Sequence, residues 1–358
     1  MKIRERLQKI KKIIAEVIDR KKKNYDILYI VENADWCIKR DGEKLAKGLK
    51  QCKMITGISV LGVRNKIIHF GSFNAFITPK RIVKPHRSNK IIVTVYHIKP
   101  DDPRALKIKS GKADFVDIWH TACEKTRQKL LELGISERKI VIIPLAVDTV
   151  LYHPVSEEEK EARREKLGIK NGQIAIGSFQ KDGDGWGEGM TPKLIKGPDI
   201  FCDVVERLSK KFDIYVVLTG PARGYVKKRL KRANIPYHHV ILDNEKQVSE
   251  YYKVLDMYII GSRVEGGPYS VLESMASGVP LLTTEVGMAI DVVKDEKNGM
   301  ICAVEDVDDL VKKGERLIVD DELRKRCIQA GLETAKKYDS SEIPNKYYEL
   351  IYKEFSRE

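Results

Sequence analysis

Cysteine is scarce in this sequence, with six in 358 residues. The six are widely scattered and form neither a paired disulfide framework nor the C-x-x-C unit of many metal sites. We therefore expect neither a disulfide scaffold nor a cysteine metal centre, and each cysteine is predicted to be a small buried residue. They are Cys37, Cys52, Cys123, Cys202, Cys302 and Cys327.

Long apolar runs are also missing. No stretch reaches the roughly 18 consecutive apolar residues of a membrane-spanning helix, although 42% of the residues are hydrophobic, which is enough for packed cores. Charges interrupt the apolar positions near the N-terminus, unlike the continuous apolar core of a signal peptide. We therefore expect a cytoplasmic protein, and its length favours two domains of about 100–200 residues each.

Strand-like and helix-like segments alternate along the chain, which is the pattern of α/β domains with parallel sheets covered on both faces. We predict one domain over residues 1–150 and a second over 151–342, because apolar character gives way to charge between Pro144 and Pro154. The predicted strands are 27–31, 66–70, 91–96, 116–119 and 140–143 in the first domain, and 174–179, 214–219, 240–242, 257–260, 281–284 and 300–302 in the second.

The most informative segment runs from Glu265 to Glu273 and reads EGGPYSVLE. It joins an apolar strand-like run to a helical pattern, so the two carboxylates flank a strand-to-helix junction. Pro268 suits the first helical position, while Gly266 and Gly267 let a ligand approach bare backbone whose N–H groups can face phosphate. The alternative is an ordinary helix start with an acidic residue near the positive end of the dipole, which explains one glutamate only.

The stretch 265–280, EGGPYSVLESMASGVP, resembles the Glu-x7-Glu signature of retaining glycosyltransferases with the GT-B fold, in the large family numbered four. The resemblance implies two Rossmann-like domains facing a central cleft, with a last helix over 343–358 that crosses back to the first domain. It assigns Glu265 to the donor sugar and Glu273 to the nucleotide ribose. Gly266, Gly267 and Pro268 complete the motif's contacts with the substrate.

Positive charge for the donor diphosphate is expected after the first strand of the second domain. In the family a loop there contributes an arginine and a lysine, and Lys196, directly before a glycine, matches the lysine. Gln180 and Lys181 stand where the arginine is expected. Lys181 is therefore our choice for the second cation, with Arg223 or Arg263 as substitutes. The alternative to a phosphate-binding role for Lys196 is a solvated lysine at a helix start. A cation is unfavourable at that position unless an anion compensates its charge.

Two further features are judged by the same resemblance. The glycine-rich stretch 182–189, DGDGWGEG, fits neither a dinucleotide fingerprint nor an EF-hand. We expect it to form a mobile flap, with an inert solvent loop as the alternative, and we expect no required metal or cofactor.

His97, which follows an apolar strand, matches a family histidine near the reactive carbon of the sugar. Its alternative is a hydrogen-bonded surface histidine.

The formal net charge of +14 is concentrated in two segments. Residues 1–24 hold ten basic and three acidic residues, and residues 80–112 hold ten basic and two acidic residues. In the first segment apolar residues recur every three or four positions, which predicts a basic amphipathic helix. This helix either lies on an anionic membrane surface or packs its apolar stripe on its own domain. The stripe consists of Ile3, Leu7, Ile10, Ile14 and Val17.

By resemblance, the chain is predicted to be a retaining, metal-independent hexosyltransferase. The donor is expected to be a nucleoside diphosphate sugar, and the acceptor a hydroxyl of a glycan or a lipid-linked molecule. The basic helix suggests peripheral attachment at the inner face of the cell membrane. No nucleic-acid partner is expected, because no binding motif or interleaved aromatic residues accompany the lysines. The alternatives are a sugar-nucleotide epimerase or phosphorylase of the same fold, or a non-catalytic protein that binds membranes or nucleic acid through its basic segments.

Overall fold

The computed structural model describes residues 2–32, 37–78, 80–99, 101–185 and 187–356. The chain divides into two compact units, Met1–Pro144 with Ser341–Glu358, and Leu145–Ser340. Each unit contains a six-stranded parallel sheet with flanking helices. The predicted α/β architecture of two Rossmann-like domains is thereby confirmed.

The sheet of the first unit has the strand order β2-β1-β3-β4-β5-β6. Its strands are β1 Ile27–Ile30, β2 Met54–Gly57, β3 Ile67–Phe70, β4 Lys90–Thr94, β5 Ile118–Thr121 and β6 Ile140–Ile142. The helices around it are α1 Lys2–Lys21, α2 Cys37–Gly48, α3 Phe73–Phe76, α4 Ala105–Lys109 and α5 Glu124–Glu132.

Both faces of this sheet are buried. Successive residues of a strand point to opposite faces, and in β1 the side chains of Leu28 and Ile30 join one apolar cluster whereas Ile27 and Tyr29 join another. A parallel sheet covered by helices on both sides requires this continuous apolar character. The continuous apolar run also allowed β1 to be predicted from the sequence.

The second unit has the strand order β12-β11-β10-β7-β8-β9. Its strands are β7 Ile174–Phe179, β8 Ile214–Thr219, β9 Tyr237–Val240, β10 Met257–Ile260, β11 Leu281–Thr284 and β12 Met300–Cys302. Its helices are α6 Glu157–Lys166, α7 Pro198–Leu208, α8 Gly224–Arg232, α9 Glu245–Tyr252, α10 Ser270–Ala276, α11 Ala289–Val292, α12 Val307–Val319 and α13 Asp321–Lys337. The order reverses between β7 and β10, which are direct neighbours.

Three strands differ from the prediction: one was not predicted, and two lie a few residues from their predicted positions. The strand at Met54–Gly57 was not predicted, because its short sequence MITG has no apolar run and it lies at the sheet edge. The strand predicted at 116–119 lies two residues later, at Ile118–Thr121, where His120 is buried inside the sheet. The strand predicted at 240–242 lies at Tyr237–Val240, an edge strand whose two histidines hide its pattern.

The C-terminal segment belongs to the first unit. It consists of α14 Ile343–Tyr347 and a following π-helical turn, Tyr348–Tyr352. Tyr347, Ile351 and Tyr352 pack in the same apolar cluster as Ile27 and Tyr29 of β1. The end of the chain therefore covers one face of the first sheet.

A chain of buried hydrogen bonds links this segment to three strands. The contacts run from the Tyr352 hydroxyl to His69 Nδ1 (2.6 Å), from His69 Nε2 to Thr94 Oγ1 (2.8 Å), and from Thr94 Oγ1 to His120 Nδ1 (2.9 Å). The last contact joins His120 Nε2 to the carbonyl of Ile143 at 3.1 Å. Because a carbonyl can only accept, His120 Nε2 carries the proton, and each preceding donor is then fixed in turn.

Burial favours the neutral form of both histidine rings, and two neutral rings fit this chain of hydrogen bonds. Burial lowers the pKa of His69 well below its ordinary value, and the neighbouring His120 lowers it further. Burial also lowers the pKa of His120, to about 4.

The described cysteines and helices agree with the sequence in two respects. Cys52, Cys123, Cys202, Cys302 and Cys327 are buried, as predicted, and none of these five forms a disulfide bond; the side chain of Cys37 lies outside the described part of the chain. Among the described helices, none combines the length and the apolar character needed to cross a membrane.

We expect the free energy of unfolding to fall as the pH is lowered from 7 to 5. Unfolded histidines bind protons with a pKa near about 6.5, whereas folded His120 does so only near 4. A histidine whose pKa is lower in the folded state than in the unfolded state stabilises the fold fully above the unfolded pKa, and this stabilisation is lost as the pH falls below it. The free energy of unfolding then falls by at most about 1.4 kcal/mol per pH unit for each such histidine. Urea unfolding of the wild type and of His120→Gln, at several pH values, checks this.

The glutamine variant keeps an amide donor for Ile143 but cannot titrate, so its pH dependence should be shallower than that of the wild type. His153→Gln, at an exposed position, serves as the matched control and should behave as the wild type does. Equal slopes for the wild type and His120→Gln would show that His120 is not the neutral link proposed here.

Candidate functional site

The candidate site lies in the second unit, where the strand order reverses. Strands β7 and β10 are neighbours there, although the chain makes two further strands between them. Ligands of open α/β sheets bind outside the carboxyl ends of strands at such a reversal. The segment after β7 carries Gln180 and Lys181, and the segment after β10 carries Glu265. The predicted donor residues of this unit thus follow the two strands that meet at the switch point.

The central contact of this site is an ion pair between Lys196 and Glu265. Lys196 Nζ lies 2.6 Å from Glu265 Oε1 and 2.7 Å from Oε2, so it donates to both carboxylate oxygens. The hydroxyl of Ser262 donates to Oε1 at 3.0 Å. The lysine side chain is 24% exposed and the glutamate 9% exposed. In this structure, the anion that compensates Lys196 near the start of α7 is Glu265.

The backbone around Lys196 is held in place by contacts with the segment after β10. Lys196 ends a 3₁₀ turn, Leu194–Lys196, and Gly197 follows it with φ +60°. A Cβ atom on Gly197 would overlap the carbonyl oxygen of Gly261, so glycine is required both for the backbone conformation and for the close approach. Arg263 N donates to the carbonyl of Ile195 at 2.9 Å. Two loops that are distant in sequence are thereby fixed against each other.

Gln180 occupies the position where the family resemblance called for an arginine. Its side-chain Nε2 donates to the carbonyl of Lys196 at 3.1 Å. It therefore supports the lysine segment through the backbone and brings no charge of its own. Lys181, our choice for the second cation, is half-buried in the next position along the chain.

Glu273 lies near the start of α10 and is held by two tyrosines. The hydroxyl of Tyr152 donates to Oε1 at 3.0 Å, and that of Tyr252 donates to Oε2 at 2.9 Å. Tyr252 is buried, and both burial and the charge of Glu273 raise its pKa well above the ordinary value. It therefore stays protonated as a donor. These two partners could not be predicted from the sequence, because they lie 121 and 21 positions from Glu273 along the chain.

The helix of the motif begins later than predicted. We expected Pro268 at its first position, but α10 begins at Ser270, with Tyr269 as its N-terminal cap. The prolyl ring precedes the helix because residues 266–269 form an irregular turn. Within it, the carbonyl of Gly266 accepts a hydrogen bond of 3.1 Å from Met288 N, which ties the turn to the segment after β11. Gly267 lies in the same turn.

Arg223 lies beneath the loop after β7, and its side chain is fully buried. Its Nη1 donates to the carbonyls of Ser178 (2.8 Å), Gln180 (2.7 Å) and Thr219 (3.1 Å). Its Nη2 is 3.2 Å from Oδ2 of the buried Asp182. Burial raises the pKa of Asp182, and the charges of Arg223 and Lys196 oppose that rise. In this structure Arg223 therefore braces the ends of β7 and β8 and does not face solvent.

Arg263, the other substitute cation, is engaged at the surface of the site. Its Nη1 and Nη2 donate to the carboxylate of Asp199 at 2.9 Å and 2.7 Å, and its Nε donates to Glu305 at 2.6 Å. The hydrogen bonds that Arg263 donates to Asp199 are the main reason that the pKa of Arg263 is raised. The bidentate pair fixes the start of α7 next to the Lys196 turn.

The glycine-rich stretch docks on the start of α8. The carbonyls of Glu188 and Gly189 accept hydrogen bonds from Gly224 N (2.6 Å) and Tyr225 N (3.0 Å). Gly189 has φ +73°, and a Cβ atom there would overlap the carbonyl of Ala222. The predicted flap therefore has defined contacts at its far end. Trp186, which belongs to this stretch of the sequence, lies outside the described residues.

His97 belongs to the first unit. It follows β4 by three residues and is half-buried. The position after a parallel strand agrees with the pattern that suggested it. Its role near the sugar remains a prediction.

A family comparison covers the centre of the second unit. Residues 192–334 match the family model described as Glycosyl transferases group 1. This range includes Lys196, Glu265 and Glu273. The two glutamates of the motif and the lysine paired with Glu265 therefore lie inside the matched region, whereas Tyr152, Gln180 and Asp182 lie outside it.

Curated relatives and solved structures agree with this match. The chain is 25% identical over 180 residues to the lipopolysaccharide core biosynthesis mannosyltransferase LpsB of Rhizobium meliloti, which is 48% of each chain. It is 23% identical over 232 residues, 63% of this chain and 58% of the relative, to an N,N'-diacetylbacillosaminyl-diphospho-undecaprenol alpha-1,3-N-acetylgalactosaminyltransferase of Campylobacter jejuni. The chain thus matches about half the length of these relatives.

One solved structure of similar shape is Anabaena HepE in complex with UDP-glucose. The TM-score is 0.73 at 14% identity, over 92% of this chain and all of that chain. A likeness at this identity shows the fold alone. The chain has the GT-B fold.

We predict that Arg223→Met destabilises the second unit by about 3–5 kcal/mol, the size observed when one partner of a buried ion pair is removed. The variant leaves Asp182 buried without its counter-ion and leaves three carbonyls without their donor. Asp182→Asn in the same protein should recover part of the loss. Urea unfolding of the two single variants and the double variant gives the coupling between the two residues.

Arg263→Met is the control, because that arginine is partly exposed and its removal should cost less. Additive losses in the double variant would contradict the pairing of Arg223 with Asp182.

Proposed function

We propose that the chain is a retaining hexosyltransferase, because residues 192–334 match the family model described as Glycosyl transferases group 1 and the chain has the GT-B fold. In this proposal the donor is a nucleoside diphosphate sugar, and the hexosyl unit passes to a hydroxyl of a glycan or a lipid-linked acceptor. The observation that carries the proposal is the Lys196–Glu265 pair at the switch point of the second sheet. It combines a cation for phosphate with a carboxylate for sugar hydroxyls.

Donor binding would exchange partners within the pair. The diphosphate takes over Lys196, and Glu265, released from the lysine, accepts a hydrogen bond from a hydroxyl of the sugar. Both side chains are already oriented by Ser262 and by the Lys196 turn. Little reorganisation is then needed when charge develops on the leaving diphosphate, which is the condition for electrostatic stabilisation of a transition state.

Glu273 would hold the nucleotide ribose. Its carboxylate can accept further hydrogen bonds from ribose hydroxyls while Tyr152 and Tyr252 keep it in place. Glu265 and Glu273 lie on either side of the Gly266–Gly267 turn, where the backbone can approach the ligand closely. We assign the second contact with the diphosphate to Lys181.

Retention at the anomeric carbon requires the acceptor hydroxyl to arrive on the face from which the diphosphate leaves. The departing charge is met here by lysines, and we propose that no metal ion is required. We assign the acceptor to the first unit, where His97 would lie near the reactive carbon.

The names of relatives support the substrate classes. HepE was solved with UDP-glucose, which favours a nucleoside diphosphate sugar as donor. The matched transferases of Rhizobium meliloti and Campylobacter jejuni are named for lipopolysaccharide core and diphospho-undecaprenol substrates. These names favour a glycan or lipid-linked acceptor.

We predict that Lys196→Ala and Glu273→Ala each lower transfer by about 10²-fold or more, the size typical of removing one preorganised donor. The lysine variant loses the charge opposite the diphosphate, and the glutamate variant loses the ribose contact. A thermal-shift screen of nucleotide sugars first identifies the donor, and product formation with that donor and lipid extracts as acceptor gives the rate.

The exposed changes Lys210→Ala and Glu322→Ala remove the same charges elsewhere in the second unit and should leave the rate unaffected. Circular dichroism shows whether each variant is folded. Transfer at the wild-type rate by either site variant would refute the assignment.

A further inference from the structure

Helix α1 uses one face to bind the first unit. On that face Glu16 Oε2 accepts a hydrogen bond of 3.0 Å from Ile58 N, just after β2. Arg20 is buried and donates to the carbonyls of Ser59 (2.6 Å) and Leu61 (2.5 Å). Glu16 and Arg20 therefore anchor the helix, and Ile13 and Val17 of the same helix are half-buried.

Another face of the same helix presents a row of isoleucines to solvent. Ile10, Ile14 and Ile18 are 51%, 51% and 54% exposed. Residues four apart lie one above another on a helix, so the three form a continuous ridge. A single exposed apolar residue is ordinary, but an aligned row on one helix face marks an interaction surface. We call these three residues the isoleucine ridge.

Basic side chains border this ridge. Lys11 precedes Ile14 by three positions and Lys21 follows Ile18 by three, so both lie beside the ridge on the helix surface. Both are exposed, as is Lys22 directly after the helix. Residues 1–24 as a whole contain ten basic and three acidic residues. The surface is apolar in the middle and positively charged at its border.

We propose that α1 docks on an anionic membrane surface, with the isoleucine ridge entering the boundary between headgroups and acyl chains and the lysines facing lipid phosphates. A helix with an apolar face and a strongly basic border has the chemistry of an interfacial helix. The inference depends on the surface of α1 alone and stands whether or not the proposed transfer reaction is correct.

Two other occupants fit the surface less well. A second copy of the chain would bring another strongly basic helix against the first, and like charges would oppose that contact. Nucleic acid would use the lysines but gain nothing from exposed isoleucines, since phosphate contacts are electrostatic. An anionic bilayer satisfies both the charge and the apolar ridge.

The test is co-sedimentation of the full chain with vesicles, in the absence of any sugar nucleotide. The wild type should bind vesicles of phosphatidylglycerol and phosphatidylcholine in equal parts, bind pure phosphatidylcholine more weakly, and lose affinity as salt is raised. The triple variant Ile10→Ser, Ile14→Ser, Ile18→Ser should bind the anionic vesicles at least about tenfold more weakly, because the apolar part of the insertion is removed.

Ile241→Ser is the matched control, since this isoleucine of the second unit is 64% exposed, and it should bind as the wild type does. As a second readout, Ile14→Trp fluorescence should shift to the blue and be quenched by brominated lipid. Wild-type binding of the triple variant to anionic vesicles would overturn the proposal. So would a concentration-dependent dimer in sedimentation velocity that the triple variant abolishes, because the ridge would then join two copies.

Discussion

The ion pair between Lys196 and Glu265 is the contact on which the candidate site depends. It joins a turn before α7 to the segment after β10, and its two members are 69 positions apart in the sequence. A lysine and a carboxylate at this distance attract strongly where solvent is largely excluded. Because the pair is partly exposed, it remains within reach of a ligand that carries both phosphate and hydroxyl groups. The Lys196–Glu265 contact thus positions both side chains, and a ligand that displaces it must offer a phosphate to the lysine and a hydroxyl to the glutamate.

The surroundings of the pair explain why it forms. The Rossmann-like strand order makes β7 and β10 neighbours, and a glycine at 197 lets the two following loops touch through their backbones. Beneath these loops, the buried Arg223 holds the ends of β7 and β8 through three carbonyls. The site is therefore rigid where it must orient charges, as electrostatic preorganisation requires.

The sequence allowed the main features of this site to be predicted, because a short motif and apolar runs carry them. Strand β10 is continuously apolar and β7 begins with three apolar residues, and the glutamates at 265 and 273 belong to a specific sequence motif. Other features could not be predicted. Tyr152 and Tyr252 reach Glu273 only through the tertiary fold, and the edge strand β2 is too short and polar to show a pattern. Helical spacing alone left open whether the isoleucines of α1 were buried, and only the structure exposes them.

A crystal structure with a nucleoside diphosphate sugar bound would test the central claim most directly. We expect a phosphate oxygen of the donor to lie within hydrogen-bond distance of Lys196 Nζ. We also expect the Glu265 carboxylate to have turned from the lysine to a sugar hydroxyl. A bound donor that leaves the Lys196–Glu265 pair intact, or that lies away from both side chains, would contradict it.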